Sequence, residues 1–287
     1  MIVGIIGAGA WGTALSYVSA RSGNQVILWS YDGMHKSFEG TDMPQGIKIT
    51  SSVSDLKETD AWLIVTPAAF FRETLRKMRA TYNGQPIIIC TKGAECSSGE
   101  FMSEILATEI PECTEMGVLS GPQFAAEVAR GVPTGSTLAG TVKALDAGHQ
   151  MLSKMYLTDT DDIIGTQICG VGKNAVALIS GYCSIACTGE NERALIFTRA
   201  WNEIVNIGLA MGAQLRTFLG LCGIGDLFLS ATSATSRNYS GGVLIASGQI
   251  PEGTVEGVFA LCGLQSRARS LGIETPVLDD MAKRLKI

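Results

Sequence analysis

The chain opens on an uninterrupted apolar run, IVGIIG, and similar runs return at QVILWS, AWLIVTPA, PIIICTKG, MGVLSGP and STLAG, with a more mixed one at IKITSS. A strand with one wet face alternates apolar and polar residues, whereas a strand buried on both faces of a parallel sheet reads as a continuous apolar segment. Helical spacing of apolar positions follows the first run at Ala10, Ala14, Leu15 and Val18, and helical stretches are expected around 68–80 and 98–108. Strands alternating with helices predict a doubly wound α/β sheet, which gathers ligands at the carboxyl ends of its strands. From about Ile164 the pattern changes. GVGKNAVALISGYCSIACTG places Val171, Ala175, Leu178, Ile179 and Tyr182 near helical spacing, and NERALIFTRAWNEIVNIGLAMG reads as a second helix. The expectation is a sheet domain over 1–165 and an all-α domain over 166–287.

Between the first strand and the first helix lie Gly7, Gly9 and Gly12, in the pattern GxGxxG. Gly7 permits the tight turn, Gly9 admits a pyrophosphate close to the backbone, and Gly12 lets helix and strand pack together. The strand–turn–helix context makes the first domain a Rossmann-like dinucleotide-binding domain. Asp32, about 20 residues beyond the glycines, stands where an acid binds the adenosine ribose hydroxyls. A turn-forming aspartate before Gly33 is the structural alternative. The nearest bases in sequence are Lys36 and Arg21, which favours NAD over NADP. Thr66-Pro67, Thr91-Lys92-Gly93 and Ser120-Gly121-Pro122 occupy further strand ends. Lys92 directly follows an apolar strand, where a cation would face the cofactor cleft.

In the second half, Lys173 and Asn174 interrupt an apolar helix. Burial of a lysine lowers its pKa and eases proton transfer near neutral pH, so Lys173 is the candidate general acid/base. Glu192, Arg193, Arg199 and Glu203 read as a solvated or inter-helix ion-pair face. The segment TFLGLCGIGDLFLSATSATSRNYSGG carries one acid, Asp226, and one base, Arg237. Asp226 is either a helix N-cap after a glycine turn or the carboxylate that orients the lysine. Arg237, followed by Asn238 and set among serines and threonines, suits a phosphate, because a guanidinium offers a rigid fork of donors to paired oxyanion acceptors.

Composition narrows the function classes. Hydrophobic residues make up 46% and charged residues 17% of the 287, so much of the chain is expected to be buried in a core or an apolar interface, as in a homodimer. A net charge of −5 argues against a general nucleic-acid surface. The cysteines at 90, 96, 113, 169, 183, 187, 222 and 262 show no CxxC pair or zinc spacing, and are expected to be free thiols. Met1 leads straight into IVGIIG without a charged leader, and no run is judged long and apolar enough to span a bilayer, so a cytoplasmic location is expected. His35 and His149 lie in polar stretches, and neither suggests a metal site. Acid–base chemistry must therefore fall to Lys, Asp, Glu, Tyr or Cys.

Together GAGAWGTAL, CTKG, SGPQFAAEVA, GVGKN, TFLGLCGIGDL, SRN and TVEG resemble the NAD(P)-dependent glycerol-3-phosphate dehydrogenase family, in order and over nearly the whole chain. The resemblance implies reduction of dihydroxyacetone phosphate to sn-glycerol 3-phosphate, the starting point of glycerophospholipid synthesis, with NAD or NADP as cofactor. It implies that Lys173 donates the proton, that Lys92 touches cofactor and substrate and polarises the carbonyl, and that Asp226 and Asn174 order the lysines. Gly121, Gln123, Ser236, Arg237 and Asn238 would hold substrate. Gly7, Gly9, Ala10, Trp11, Gly12, Tyr31, Asp32, Lys92, Ala125, Arg237, Thr254 and Glu256 would contact the cofactor. The chain departs from the family pattern at Gln123 and Cys90, where serine is commoner, in a short stretch between Tyr31 and Asp60, and in an early end after ETPVLDDMAKRLKI. A dehydrogenase of β-hydroxyacids or sugar phosphates would share the glycines and a Lys-Asn pair, but SRN with GIGD favours the phosphotriose. A non-catalytic dinucleotide sensor would need no proton donor and so would not need Lys92, Lys173 and Asp226 together.

Overall fold

The computed structural model describes residues 1–253 and 255–286. Contacts divide the chain into two compact units, Met1–Thr91 with Met102–Ile163, and Lys92–Phe101 with Ile164–Ile287.

The first unit runs β1 (Ile2–Ile6), α1 (Ala10–Arg21), β2 (Gln25–Trp29), β3 (Ile47–Thr50), β4 (Ala61–Ile64), α2 (Phe71–Met78), β5 (Ile87–Ile89), α3 (Met102–Glu109), β6 (Met116–Ser120), α4 (Ala125–Arg130), β7 (Gly135–Gly140), α5 (Val142–Met151) and β8 (Tyr156–Thr160). The eight strands form one sheet in the order β3-β2-β1-β4-β5-β6-β7-β8. Every neighbouring pair is parallel except β6 and β7. The continuous apolar runs are explained by two cores, one on each face. Val3, Ile5, Leu63 and Ile88 enter one, while Ile6, Trp62, Ile64, Ile87 and Ile89 enter the other. Successive side chains point to opposite faces, and both faces are covered. β8 is half-exposed and polar, with the pattern YLTDT, so it carries no such signal and was not expected from the sequence.

The second unit is helical: α6 (Ile163–Ala186), α7 (Glu190–Ala210), α8 (Leu215–Phe218), α9 (Asp226–Thr232), α10 (Arg237–Ala246), α11 (Glu256–Ser270) and α12 (Pro276–Leu285). α6 corrects one expectation, because it is long and apolar enough to cross a membrane by length and composition, as is Leu215–Thr232. The apolar window of α6 is 72% buried, which marks it as a core helix and accounts for its apolarity. Small residues let its backbone meet other helices. A Cβ at Gly181 would lie 1.9 Å from Tyr239 O, and one at Gly242 would lie 2.1 Å from Leu178 O, so α6 and α10 touch backbone to backbone.

Two further expectations are corrected here. Glu203 does not sit on a solvated face. It is buried and accepts the Val277 and Leu278 backbone N–H groups at 2.8 and 2.9 Å, satisfying the start of α12. Nor are all eight cysteines free, since Cys96 and Cys262 form a disulfide across 166 positions. That separation hides the pair from any spacing rule. The segment Lys92–Phe101, placed by sequence within 1–165, packs with the second unit because its backbone is hydrogen-bonded to α11.

Candidate active site

In the first unit the glycine turn has the shape its sequence suggests. Gly7 has φ +114°, and a Cβ there would sit 3.0 Å from the Val65 and Thr66 backbone. A Cβ at Gly12 would lie 1.8 Å from Gly7 O, so only glycine lets α1 approach β1. Gly9 occupies the N-cap of α1, and a Cβ there would meet nothing within 4 Å. The open approach at Gly9, the exposed Ala10 and the half-buried Trp11 leave the helix N-terminus accessible to an anionic pyrophosphate, so these residues fit a dinucleotide.

At the end of β2, Asp32 Oδ1 accepts from Ser30 Oγ at 2.7 Å and from Met34 N at 3.0 Å. The Ser30 hydroxyl, seconded by the Met34 N–H, holds the Asp32 carboxyl below its ordinary range. Asp32 is thus a turn-former with Oδ2 clear of those two bonds. Exposed Tyr31 carries the Lys77 ammonium 4.7 Å from its ring centroid. Lys77, 46 positions away in sequence, is the base at Tyr31, whereas Arg21 is bound to Ala129 O at 2.6 Å. Lys36 contributes its backbone N–H to Ala8 O at 3.2 Å. On β6 and beyond, Gly121 lies against β7, where a Cβ would be 2.7 Å from Gly135 O. Gln123 Nε2 donates to Ser136 Oγ at 2.6 Å, while its buried Oε1 has no partner among the described residues. Ala125 is the first residue of α4.

The second unit brings the ionisable residues together. Asp226 is fully buried and its two oxygens hold two lysines, Lys92 Nζ at 2.5 Å on Oδ2 and Lys173 Nζ at 3.1 Å on Oδ1. Lys92 comes from the segment that follows β5, Lys173 from α6 and Asp226 from α9. Asp226 is the first residue of α9, after a π-helical turn, Leu221–Gly225, with Gly225 at the N-cap. The N-cap alternative is therefore set aside, because both carboxylate oxygens serve side chains. Ser230, one turn further along α9, donates to Asp226 Oδ1 at 3.2 Å and accepts from Lys173 Nζ at 2.9 Å. The sequence reading missed Ser230, although its i,i+4 spacing from Asp226 was a usable signal.

Burial pushes the Lys173 ammonium below the ordinary lysine range, with Lys92 adding to the shift and Asp226 opposing it. Burial alone would raise the Asp226 carboxyl, but the charges of Lys173 and Lys92 outweigh it and keep the group low. Asp226 is therefore ionised at neutral pH.

Beside this cluster, Asn238 Nδ2 donates to Asn174 Oδ1 at 2.8 Å, and Asn238 Oδ1 accepts from Gly257 N at 2.9 Å. Two buried amides thus tie α6, α10 and the start of α11 together. Ser236 is the N-cap of α10 and accepts from Tyr239 N at 3.4 Å. Arg237, the first residue of α10, is 77% exposed in its side chain and lies 3.8 Å from Glu256 Oε1. Thr254 lies outside the described residues.

Comparison with known proteins bears on the family of the chain. Residues 2–146 match the profile of the NAD-dependent glycerol-3-phosphate dehydrogenase N-terminus, and residues 162–286 match that of its C-terminus. A glycerol-3-phosphate dehydrogenase [NAD(P)+] of Parvibaculum lavamentivorans is 35% identical over 98% of this chain and 91% of its own. One from Afipia carboxidovorans is 36% identical over 99% of this chain and 91% of its own. The crystal structure of the glycerol-3-phosphate dehydrogenase of Coxiella burnetii superposes with a TM-score of 0.91 at 29% identity, covering 99% of this chain and 94% of that one. With both halves matched and relatives aligned over nearly its full length, the chain belongs to the NAD-dependent glycerol-3-phosphate dehydrogenase family, a family of NAD(P)-dependent oxidoreductases.

Proposed function

We infer that the chain reduces dihydroxyacetone phosphate to sn-glycerol 3-phosphate with NADH or NADPH, and catalyses the reverse oxidation, with Lys173 as its acid and base. The observation that carries this reading is the buried Asp226 carboxylate holding the ammonium groups of Lys92 and Lys173. A binding module has no use for a depressed lysine beside a fixed cation.

When bound, the reduced nicotinamide supplies the hydride to the ketone carbon. Gly7, Gly9, Ala10, Trp11 and Gly12 would receive its pyrophosphate, and Tyr31 and Asp32 its adenosine. Ala125, Arg237, Glu256 and the undescribed Thr254 complete the proposed contacts. Lys77 beside Tyr31 supplies a cation that a 2′-phosphate would need, so both cofactors fit this end of the fold. Two of the three donor directions of Lys173 Nζ go to Asp226 and Ser230. The third would meet the carbonyl oxygen and deliver a proton as that oxygen gains charge. Burial makes the ammonium more acidic than an ordinary lysine, which favours the transfer. The Lys92 ammonium near the same oxygen would stabilise the developing alkoxide.

The substrate phosphate would lie at the N-terminus of α10, between the Arg237 guanidinium, the Ser236 hydroxyl and the second N–H of the Asn238 amide. Asn174 orders Asn238 and, as the residue next to Lys173, fixes that turn of α6. Gly121 and Gln123 would border the substrate. With the Gln123 amide nitrogen bound to Ser136, its unpartnered Oε1 is the atom suited to accept from a substrate hydroxyl. On this reading residues 166–287 form the substrate domain of a cytoplasmic enzyme supplying glycerol 3-phosphate for glycerophospholipid synthesis.

The purified chain is expected to consume NADH or NADPH when given dihydroxyacetone phosphate, followed by loss of reduced-nicotinamide absorbance. A folded protein that binds either cofactor but turns over with neither would overturn the enzyme reading. Arg237→Ala is expected to raise the substrate KM about 10- to 100-fold, the worth of a charge-assisted hydrogen bond, with a much smaller change in kcat. An unchanged KM would move the phosphate elsewhere.

A further inference from the structure

Nothing in the proposed chemistry uses the Cys96–Cys262 disulfide, yet it joins two pieces of the machinery. Cys96 lies four positions beyond Lys92, in the segment Lys92–Phe101 that leaves β5 and returns at α3. Cys262 lies on α11, the helix whose first residues are Glu256, beside Arg237, and Gly257, bound to Asn238. We propose that Cys96–Cys262 is a redox modification site that, when oxidised, straps the Lys92 segment to α11 and holds Lys92 in its working position. A small dithiol reductant is the chemical partner it would take. The inference rests on the reading of Lys92 as the group that polarises the carbonyl.

Three observations support it. The segment closes on itself as a small hairpin, with Glu95 N donating to Glu100 O at 2.8 Å and Gly99 N to Glu95 O at 2.7 Å, so a tie at Cys96 is a tie on the whole piece. The segment is also fitted to α11, since a Cβ at Gly263 would lie 2.8 Å from Ala94 Cβ and one at Gly99 would lie 2.9 Å from Arg267 N. Ser266 Oγ donates to Cys96 O at 3.0 Å, Arg267 Nε donates to Gly99 O at 3.0 Å, and the Arg267 guanidinium stands over Phe101. Both cysteines are half-buried and Ser97 and Ser98 beside them are exposed, so a small dithiol has access. In a reducing cytoplasm a disulfide of this kind is poised rather than permanent.

The chemistry balances within one couple. A thiolate of the dithiol attacks one sulfur of the Cys96–Cys262 bond, the S–S bond breaks, and a mixed disulfide forms. The second thiol of the reductant then displaces the protein sulfur. Two electrons and two protons pass to the protein, leaving two cysteine thiols and an oxidised cyclic reductant. The oxidised reductant reverses the same steps.

The full-length protein, equilibrated with oxidised or reduced dithiothreitol, provides the test. Alkylation after denaturation is expected to find the six other cysteines reactive in the oxidised protein and all eight after reduction. At a temperature where both forms are fully folded, reduction is expected to lower kcat/KM for dihydroxyacetone phosphate about tenfold, the scale of a small displacement of a positioned group. Reoxidation should restore it. Cys262→Ser, or Cys96→Ser if the first variant folds poorly, should stay at the reduced level in either buffer. Eight reactive thiols in the oxidised buffer, equal kcat/KM in both states, or a gain on reduction would each overturn the proposal. A change in melting temperature alone would mark the bond as a staple and also overturn it. Lys92→Met separates the two readings. Full activity in that variant removes Lys92 from catalysis, whereas lost activity alongside a redox-insensitive parent leaves Lys92 in place and removes only the switch.

Discussion

Lys173→Met is expected to lower turnover about a thousandfold while cofactor affinity stays near that of the parent chain. A positioned general acid contributes on the order of 10²–10⁴ in rate. Methionine keeps most of the volume of the lysine stem in α6 but has no proton to give. The buried Asp226 would retain Lys92 on Oδ2 and Ser230 on Oδ1, so the cluster is not left with an unpaired carboxylate. Steady-state kcat and the dissociation constant of the reduced cofactor, read by its fluorescence, are the two measurements. Near-normal turnover would remove Lys173 from the mechanism. The parent should also show the sign of the shifted lysine. Reduction needs Lys173 protonated, so kcat/KM for the ketone should fall as pH rises through a pKa below the ordinary lysine range. Oxidation of glycerol 3-phosphate needs the neutral amine and should rise over the same window. The Lys173→Met variant should lose both limbs.

Asp226→Asn is expected to reduce stability as well as rate. The substitution leaves two ammonium groups, 17% and 13% exposed in their side chains, facing each other across a neutral amide. Breaking a buried ion pair by removing one partner costs about 3–5 kcal/mol. For a domain of 150–250 residues that corresponds to a fall in melting temperature of about 10 °C. The penalty has a definite pH sign. In the variant the buried Lys173, without its carboxylate, would have a folded-state pKa depressed below its unfolded value, so the unfolded chain binds more protons. Stability should therefore recover as pH rises from the depressed folded value toward the unfolded lysine range, and the deficit should be complete below it. Calorimetry across that range decides the matter. A melting temperature that matches the parent at neutral pH would mean that Asp226 does not hold the lysines as charges.

The parts of this protein that were legible in sequence are those set by local pattern. β1, the glycine turn and α1 are contiguous, and each glycine has a steric reason that any strand–turn–helix would impose, as the approach of Gly12 to Gly7 O shows. The continuous apolar strands follow from burial on both faces. α6 announced its core position through small residues and Lys173 through its interruption of them. Asp226 and Arg237 stood out because each is the lone charge of its sign in an apolar or hydroxyl-rich stretch. By contrast, β8 was hidden because an edge strand with a wet face needs few apolar residues. Glu203 looked like a surface charge because its partners, the backbone N–H groups of Val277 and Leu278, carry no side-chain signature. The apolar length of α6 was misjudged because composition alone does not separate a core helix from a membrane span.

Sequence by itself determined the apolar strands, the glycine turn and first helix, and the family, and it singled out Lys92, Lys173, Asp226 and Arg237 as candidates for the site. Tertiary structure decided what those residues touch. It placed Lys92, Lys173 and Ser230 on one buried carboxylate, put Lys77 under Tyr31 in place of Lys36 or Arg21, fixed Asp32 in a turn, and joined Cys96 to Cys262. The physical reason is range. Side-chain periodicity and backbone sterics act over a few residues and are written locally, whereas an ion pair across 134 positions or a disulfide across 166 exists only once packing has brought the partners together.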